Sequence, residues 1–408
     1  MNSNTSTISI GQATVYSILV AVACSHLLND MIQSVVPALY PMIKDEFALT
    51  FAQIGTLTLV FQLTSSLLQP LMGHLADKHP APYSLALGMC FTFVGIASLS
   101  VAHSFGLLLL SLSLIGCGSS IFHPLASRIA QVAAGRRKGV AQSIFQVGGN
   151  AGSAFGPLLA AFLVLPYGQP AVAWMCIAAF LAIVVLMWIG AWYGQRIQVK
   201  GGTAVDAPLA RPFSRRKVLW VLSVLMVLLF SKYFYLACMT NYFTFFLIDK
   251  FEVSVLQSQY CLFAFLAASA IGTVAGGFVG DKYGRKRVIW GSILGAAPFA
   301  LALPYVGLTA AVCLAVMVGL ILSSAFSAIL VYATELVPGR TGIIAGLFYG
   351  FMFGLGGLGS AFFGWLADLT SIEFIFQISA LLPLLGIVAA FLPNLKNVTL
   401  PSNMQVTD

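Results

Sequence analysis

GFVGDKYGRK, from Gly277 to Lys286, is a short polar turn between two long apolar runs, and a version of it stands 204 positions earlier as GHLADKHPAP, Gly73 to Pro82. Gly73, Asp77 and Lys78 match Gly277, Asp281 and Lys282. The same offset matches Gly135 and Arg136 with Gly339 and Arg340, and Gly152 with Gly356. One register held over separated segments marks two related halves of one chain.

Around these turns the chain is apolar almost throughout. It is 59% hydrophobic and 8% charged, with a mean hydropathy of +0.95. Soluble domains carry roughly 25% charged residues, so water is not its main solvent. Twelve apolar runs can be drawn: 14–41, 51–76, 82–103, 105–133, 139–164, 170–193, 217–247, 255–280, 287–306, 309–335, 342–368 and 371–392. Each meets the roughly 20 residues that a spanning helix needs and exceeds a barrel strand of about 10. The fold class expected is therefore an all-α integral membrane protein with twelve transmembrane helices in two pseudo-symmetric six-helix bundles. The polar interval around Gly201, Gly202 and Pro208 divides them: an N-terminal bundle over 1–194, a linker over 195–216 and a C-terminal bundle over 217–408.

The net charge of +8 comes from short loops, not from a face that would bind a polyanion. Every Lys and Arg except Lys44, Lys232 and Lys250 falls at the ends of the even-numbered loops or in the tail. The positive-inside rule then predicts that both termini and the central linker are cytoplasmic. No nucleic-acid partner is expected. All seven cysteines lie inside apolar runs with no CxxC or Cys/His cluster, so neither disulfides nor metal sites are expected, and no cofactor. The first thirteen residues lack Lys and Arg, and no cleavage site is legible, so the first helix is expected to stay in the membrane.

Six plus six helices in parallel halves is the major facilitator architecture, which binds its substrate near the bilayer midplane. Gly277 to Lys286 resembles that superfamily's loop signature. The first copy departs from it, because His79-Pro80-Ala81-Pro82 replaces the Gly-Arg-Lys of the second, and proline restricts the turn. A closer resemblance is to the fosmidomycin resistance protein group of the superfamily. It is carried by SHLLNDMIQS (25–34), FQLTSSLLQP (61–70), FHP (122–124), AQSIFQVGGN (141–150), FSKYFY (230–235), SAFSAILVYA (324–333) and GLFYGFMFGLGGLG (346–359). The resemblance implies an antibiotic-resistance exporter of the bacterial inner membrane, working as a proton antiporter, and a monomer is expected. Its substrate would be fosmidomycin, a small anionic phosphonate with a hydroxamate group.

Ionisable side chains inside a span are costly and mark functional positions. On the first helix His26, Asp30 and Gln33 share one face by their spacing, and on the seventh Lys232, Tyr235, Met239 and Tyr242 do the same. Asp30 shifted by 204 falls at Phe234, next to Lys232, so the two can line one cavity from opposite halves. Lys232 and His123 are read as anion-binding groups, joined by His26, Gln146, Asn150, Tyr235 and, nearer the cytoplasmic end, Arg128. Asp30 is the expected proton carrier, with Glu335 a second candidate for proton coupling or for a gating pair with Arg128. A purely structural Asp30–Lys232 pair is the alternative. Asp77, Lys78, Asp281, Lys282, Arg285, Lys286 and Arg340 are read as gating elements. Gly148, Gly152 and Gly156 repeat every fourth residue and predict close helix packing. Gly354 to Gly359 fits GxGxxG but follows no strand, which argues against a nucleotide site. No HExxH, GxSxG or Walker A sequence supports an enzyme. An importer of a small organic or phosphorylated anion shares all these features, and a channel or uniporter shares the polar stripes.

Overall fold

In the computed structural model, which describes residues 14–72, 81–135, 138–197, 214–337 and 341–393, the chain is helical almost end to end. The twelve expected runs appear in order: α1 (Tyr16–Ala38), α2 (Phe51–Met72), α3 (Ser84–Ser100), α4 (Phe105–Ala133), α5 (Lys138–Leu159) and α6 (Met175–Ile197) form the first half. The second half comprises α7 (Arg215–Phe251), α8 (Val255–Tyr283), α9 (Arg285–Ala302), α10 (Leu308–Leu336), α11 (Thr341–Leu369) and α12 (Ile372–Phe391). Among the described residues eleven spans are long and apolar enough to cross a membrane, and α3, at 17 residues, is the shorter twelfth.

Three spans lose their regularity beside a proline. It lacks an N–H and its ring crowds the preceding turn. The fifth span carries Pro157 and opens into a π turn over Ala160–Val164. The twelfth changes from α-helix at Ser379 to 3-10 helix over Leu382–Phe391, with Pro383 in its first turn. The first span likewise stops at Ala38, one residue past Pro37, and a separate short helix, Tyr40–Glu46, follows.

Small residues set how closely helices approach. A Cβ added to Gly148 would lie 2.2 Å from the Ala23 carbonyl oxygen, one on Gly152 2.2 Å from that of Leu27, and one on Gly156 2.1 Å from Ser34 Oγ. This glycine stripe on α5 therefore lets it lie directly on the backbone of α1, as the spacing predicted. In the second half Gly272 and Gly276 of α8 meet the carbonyls of Leu320 and Ser324 on α10 in the same way. Replacing Gly152 by leucine is expected to force α1 and α5 apart. Overpacking of this kind costs about 1–3 kcal/mol or more, visible as a lowered unfolding temperature in detergent. Gly106→Ala, where nothing lies within 4 Å, is expected to leave that temperature unchanged.

The halves meet along α2 with α11 and along α5 with α8. Their hydrogen bonds gather at the face remote from the start of α1 and the end of α12. There the backbone N–H groups of Phe51 and Ala52, the first of α2, donate to the Asp368 carboxylate at 2.8 and 2.7 Å. Gln259 Nε2 donates to the Ala38 carbonyl at 2.8 Å. Thr58 Oγ1 donates to Asn241 Oδ1 at 3.0 Å and accepts from the Tyr40 hydroxyl at 2.6 Å. Gly55 and Gly364 let the chains touch, since Cβ atoms there would lie 2.6 Å from the Ser360 carbonyl and 2.3 Å from that of Phe51. Toward the other face α11 is less crowded: around Gly350 and Gly354 nothing lies within 4 Å of an added Cβ. The remote face is thus closed.

Candidate functional site

The spacing of His26 and Asp30 on α1 does bring them together, and α4 adds a third group that the sequence separates from them by more than ninety positions. His26 Nε2 lies 3.2 Å from Asp30 Oδ2, and His123 Nε2 lies 3.3 Å from Asp30 Oδ1. Asn29 Nδ2 also donates to Oδ1, at 2.9 Å. The other nitrogen of each imidazole is tied to the main chain. His26 Nδ1 is 2.8 Å from the Phe145 carbonyl and His123 Nδ1 is 3.0 Å from that of Ser119. The His26 ring stacks on Phe145 at 4.0 Å. Gly149 of α5 makes room for the cluster, because a Cβ there would lie 2.5 Å from His26 Nε2 and 2.8 Å from Asp30 Oδ2. The side chain of His26 is 3% exposed, while those of Asp30 and His123 are 18% and 19% exposed, so the last two are partly accessible beside Phe353 of the second half.

The same three side chains form a group able to hold a metal ion by type and proximity. Their partners are those of an ion-paired cluster as much as of a metal site, and the function proposed below depends on no metal.

Around the cluster the polar atoms are incompletely used. Ser119 Oγ donates to Gln33 Oε1 at 3.1 Å, yet Gln33 Nε2, Asn29 Oδ1 and Asn150 Nδ2 are buried without a partner among the described residues. Gln146 Nε2 donates to Asn150 Oδ1 at 3.4 Å, within α5. Buried polar groups are nearly always paired, so these atoms are unusual in the packing around the cluster.

Lys232 lies on α7, in the second half. It is 2% exposed, and no carboxylate pairs with it among the described residues. Its ammonium instead lies over the rings of Tyr233 and Phe326, at 5.2 and 5.4 Å from their centroids. The suggested Asp30–Lys232 pair is therefore not formed: two imidazoles take the carboxylate, and aromatic faces take the ammonium. A run of rings links Lys232 to the cluster. Phe326 meets Tyr349 at 5.4 Å, and Phe353, one turn along α11 from Tyr349, meets His123 at 6.0 Å. These aromatic residues escaped the sequence reading, although their four-residue spacing on a glycine-rich helix was a signal.

The other expected site residues are placed elsewhere. Tyr235 is buried in the packing of α7. Arg128 lines a small cavity with Ala81, Pro82, Leu85, Leu125, Ile129 and Tyr193, inside the first half. Glu335 pairs with Arg285, Nη2 to Oε1 at 2.9 Å, inside the second half and not with Arg128. Lys286 Nζ donates to the Ala390 carbonyl at 3.0 Å, and Lys282 lies over the Tyr283 ring. Asp77, Lys78 and Arg340, and the side chain of Asp281, lie outside the described residues.

One contact between the halves lay outside the sequence expectations. Asp368 caps the start of α2 from the opposite half, where a helix N-terminus favours negative charge. No sequence feature announces it, since its partners are main-chain N–H groups. Asp368→Asn is expected to weaken this latch, with charge-assisted bonds contributing about 1.5–3 kcal/mol each. Spin labels at Thr50 and Thr370 in a cysteine-free background should then report a longer distance population than in the parent.

Relatives decide the family. The Major Facilitator Superfamily model matches residues 22–358 and 236–403. The chain belongs to the major facilitator superfamily. Within it the transporter falls in the fosmidomycin resistance group: it is 56% identical over 381 residues to the fosmidomycin resistance protein of Escherichia coli (strain K12), covering 93% of this chain and 94% of that one. An uncharacterized MFS-type transporter of Bacillus subtilis (strain 168) is 39% identical over 388 residues, with 93% and 94% covered. A crystal structure of a bacterial homolog to the human lysosomal transporter Spinster, inward-facing and occupied, superposes with a TM-score of 0.73 over 92% of this chain and 95% of that one. At 17% identity that likeness speaks for the fold alone. The transporter is a multi-pass membrane protein and not an enzyme.

Proposed function

We propose that the transporter exports fosmidomycin-like small anions from the bacterial cytoplasm across the inner membrane by proton antiport and alternating access, as a monomer with both termini cytoplasmic. The observation that carries this reading is the His26–Asp30–His123 cluster in the first half, together with Lys232 in the second, which pairs with no carboxylate among the described residues. The cluster offers exchangeable protons, and Lys232 offers a cation for a phosphonate once Tyr233 and Phe326 give way. The name of the Escherichia coli relative supports the drug, and the charge distribution over the loops supports the orientation. In that orientation the closed remote face is periplasmic, and the cleft serves the cytoplasmic side. Glu335, paired with Arg285, acts with Lys282 and Lys286 in holding the cytoplasmic ends of the second half. Asp77, Lys78, Asp281 and Arg340 are assigned to gating on their placement in the sequence.

The test is a vesicle assay with purified protein, an imposed pH gradient and simultaneous readout of fosmidomycin and internal pH. Drug is expected to move uphill as protons move the opposite way. Movement of drug and protons in the same direction would instead identify an importer.

A further inference from the structure

His26 Nε2 is buried, and no hydrogen bond reaches it among the described residues, although Asp30 Oδ2 lies 3.2 Å away. The contact is close but misaligned, with the carboxylate oxygen off the axis along which the ring nitrogen points. A hydrogen on Nε2 would ask for a nearly straight line to its acceptor, and this ring does not offer one. Nδ1 of the same ring faces the Phe145 carbonyl at 2.8 Å, which can only accept. The hydrogen of the neutral ring therefore sits on Nδ1, and Nε2 presents a lone pair. His123 turns its own Nε2 to the second oxygen, Asp30 Oδ1, at 3.3 Å. Its Nδ1 meets the Ser119 carbonyl at 3.0 Å and the Ser119 hydroxyl at 3.2 Å, and that hydroxyl donates onward to Gln33 Oε1.

Bent contacts of this length are what ligands of one metal ion make with each other. Two atoms bonded at about 2.0 Å to a tetrahedral ion stand about 3.3 Å apart, and each points at the ion and not at its neighbour. The three ligand atoms, one per residue, lie within 4.8 Å of one another. An Nδ1 hydrogen bond to a main-chain carbonyl is a usual way to orient a metal-binding imidazole. Room for the ion is kept by Gly149, where an added Cβ would lie 2.5 Å from His26 Nε2 and 2.8 Å from Asp30 Oδ2. Asp30 and His123 are partly exposed, which leaves a way in that His26 does not have. Sequence spacing gave no hint of this, because the ligands come from both α1 and α4. Two imidazoles and one carboxylate suit a borderline divalent ion of the zinc type, whereas magnesium and calcium take oxygen ligands.

We propose that His26 Nε2, His123 Nε2 and the Asp30 carboxylate bind one zinc-type ion, and that this ion receives the hydroxamate end of the substrate. Three protein ligands leave open positions on such an ion. A hydroxamic acid gives up its N–O–H proton to water, displaces metal-bound water and closes a chelate ring through its two oxygens. Charge favours the exchange. A divalent ion on two neutral imidazoles and one carboxylate carries one net positive charge, and a singly charged hydroxamate cancels it, which suits the interior of a bilayer. The phosphonate end is left for Lys232. The substrate class is then a small anion with a metal-chelating group at the end remote from its phosphonate. This inference rests on the fosmidomycin reading given above and adds the ion that holds the drug's second end.

The experiment uses purified, tag-free, full-length protein stripped with a chelator. Titration calorimetry with zinc chloride alone is expected to show one ion per chain. Cobalt(II) in its place should give the visible absorption of a low-coordinate centre, and fosmidomycin should shift those bands. His26→Gln and His123→Gln should each weaken zinc binding by more than the about tenfold to hundredfold that losing an outer hydrogen-bond partner costs. Gly149→Ala keeps every ligand and should weaken it too. His103→Gln, at an exposed histidine in the loop after α3, should bind as the parent does. Zinc should raise the unfolding temperature of the parent and of His103→Gln but not of the two ligand variants, a readout independent of drug. Zinc binding that is absent, or unchanged in both ligand variants, overturns the inference. So does fosmidomycin bound equally well with zinc and with chelator, a result that leaves the drug reading standing. Zinc bound through both histidines, with no fosmidomycin binding under either condition, keeps the metal site and refutes the drug reading instead.

Discussion

In vesicles with an imposed pH gradient, the Asp30→Asn protein is expected to lose uphill accumulation of fosmidomycin while still exchanging external for internal drug. Coupling needs a site that gains and loses protons as the cleft changes sides. In the proposed reading Asp30 anchors that site, because both imidazoles and the Asn29 amide converge on its two oxygens. An amide cannot ionise, so it no longer holds the imidazoles as charged partners. Each coupled proton is worth about 1.4 kcal/mol per pH unit, or about tenfold in accumulation. The parent should therefore concentrate drug at least about tenfold for one unit of gradient, and the variant should only equilibrate it. Exchange at equal drug concentrations asks only for substrate binding and rocking, so its rate should stay within a few fold of the parent. Uphill accumulation by Asp30→Asn at the parental rate would overturn the proton assignment.

Lys232→Gln is expected to act on the other partner, weakening drug binding by about tenfold to a hundredfold. That range corresponds to the about 1.5–3 kcal/mol of a hydrogen bond to a charged group. An unpaired ammonium inside a bilayer is costly. Here it is held by two ring faces, which attract a cation without neutralising it. A phosphonate would complete the pairing that no carboxylate among the described residues provides. Glutamine keeps most of the volume and loses the charge, so folding should survive while the apparent KM rises. Equal affinity in parent and variant, measured by equilibrium binding, removes Lys232 from the anion site.

The two mutations test residues whose legibility differed. His26, Asp30 and Gln33 could be picked out because a helix repeats every three to four residues, and Lys232 because a lone lysine far from a helix end is rare in a span. What the spacing could not give is who meets whom. His123 joins Asp30 through the docking of α4 on α1, a contact set by tertiary packing, and that contact displaced the suggested Asp30–Lys232 pair. The glycine stripe on α5 was legible for the same reason as the α1 face: its period is the helix period, and each glycine does abut the backbone of α1. Asp368 was invisible because it binds backbone, which every residue has. The twelve spans were readable from hydropathy, while the π turn after Pro157 and the 3-10 end of α12 depend on local proline geometry within runs that are uniformly apolar.

The central claim is that two covalently joined bundles rock around one cleft, sealed in this state by the contacts between α2 and α11 at the remote face. Its most direct test is a reversible lock. With cysteines at Thr50 and Thr370 in a cysteine-free background, a bifunctional thiol reagent with a reducible spacer should stop drug flux, and reduction should restore it. Undiminished flux through fully crosslinked protein would contradict the account.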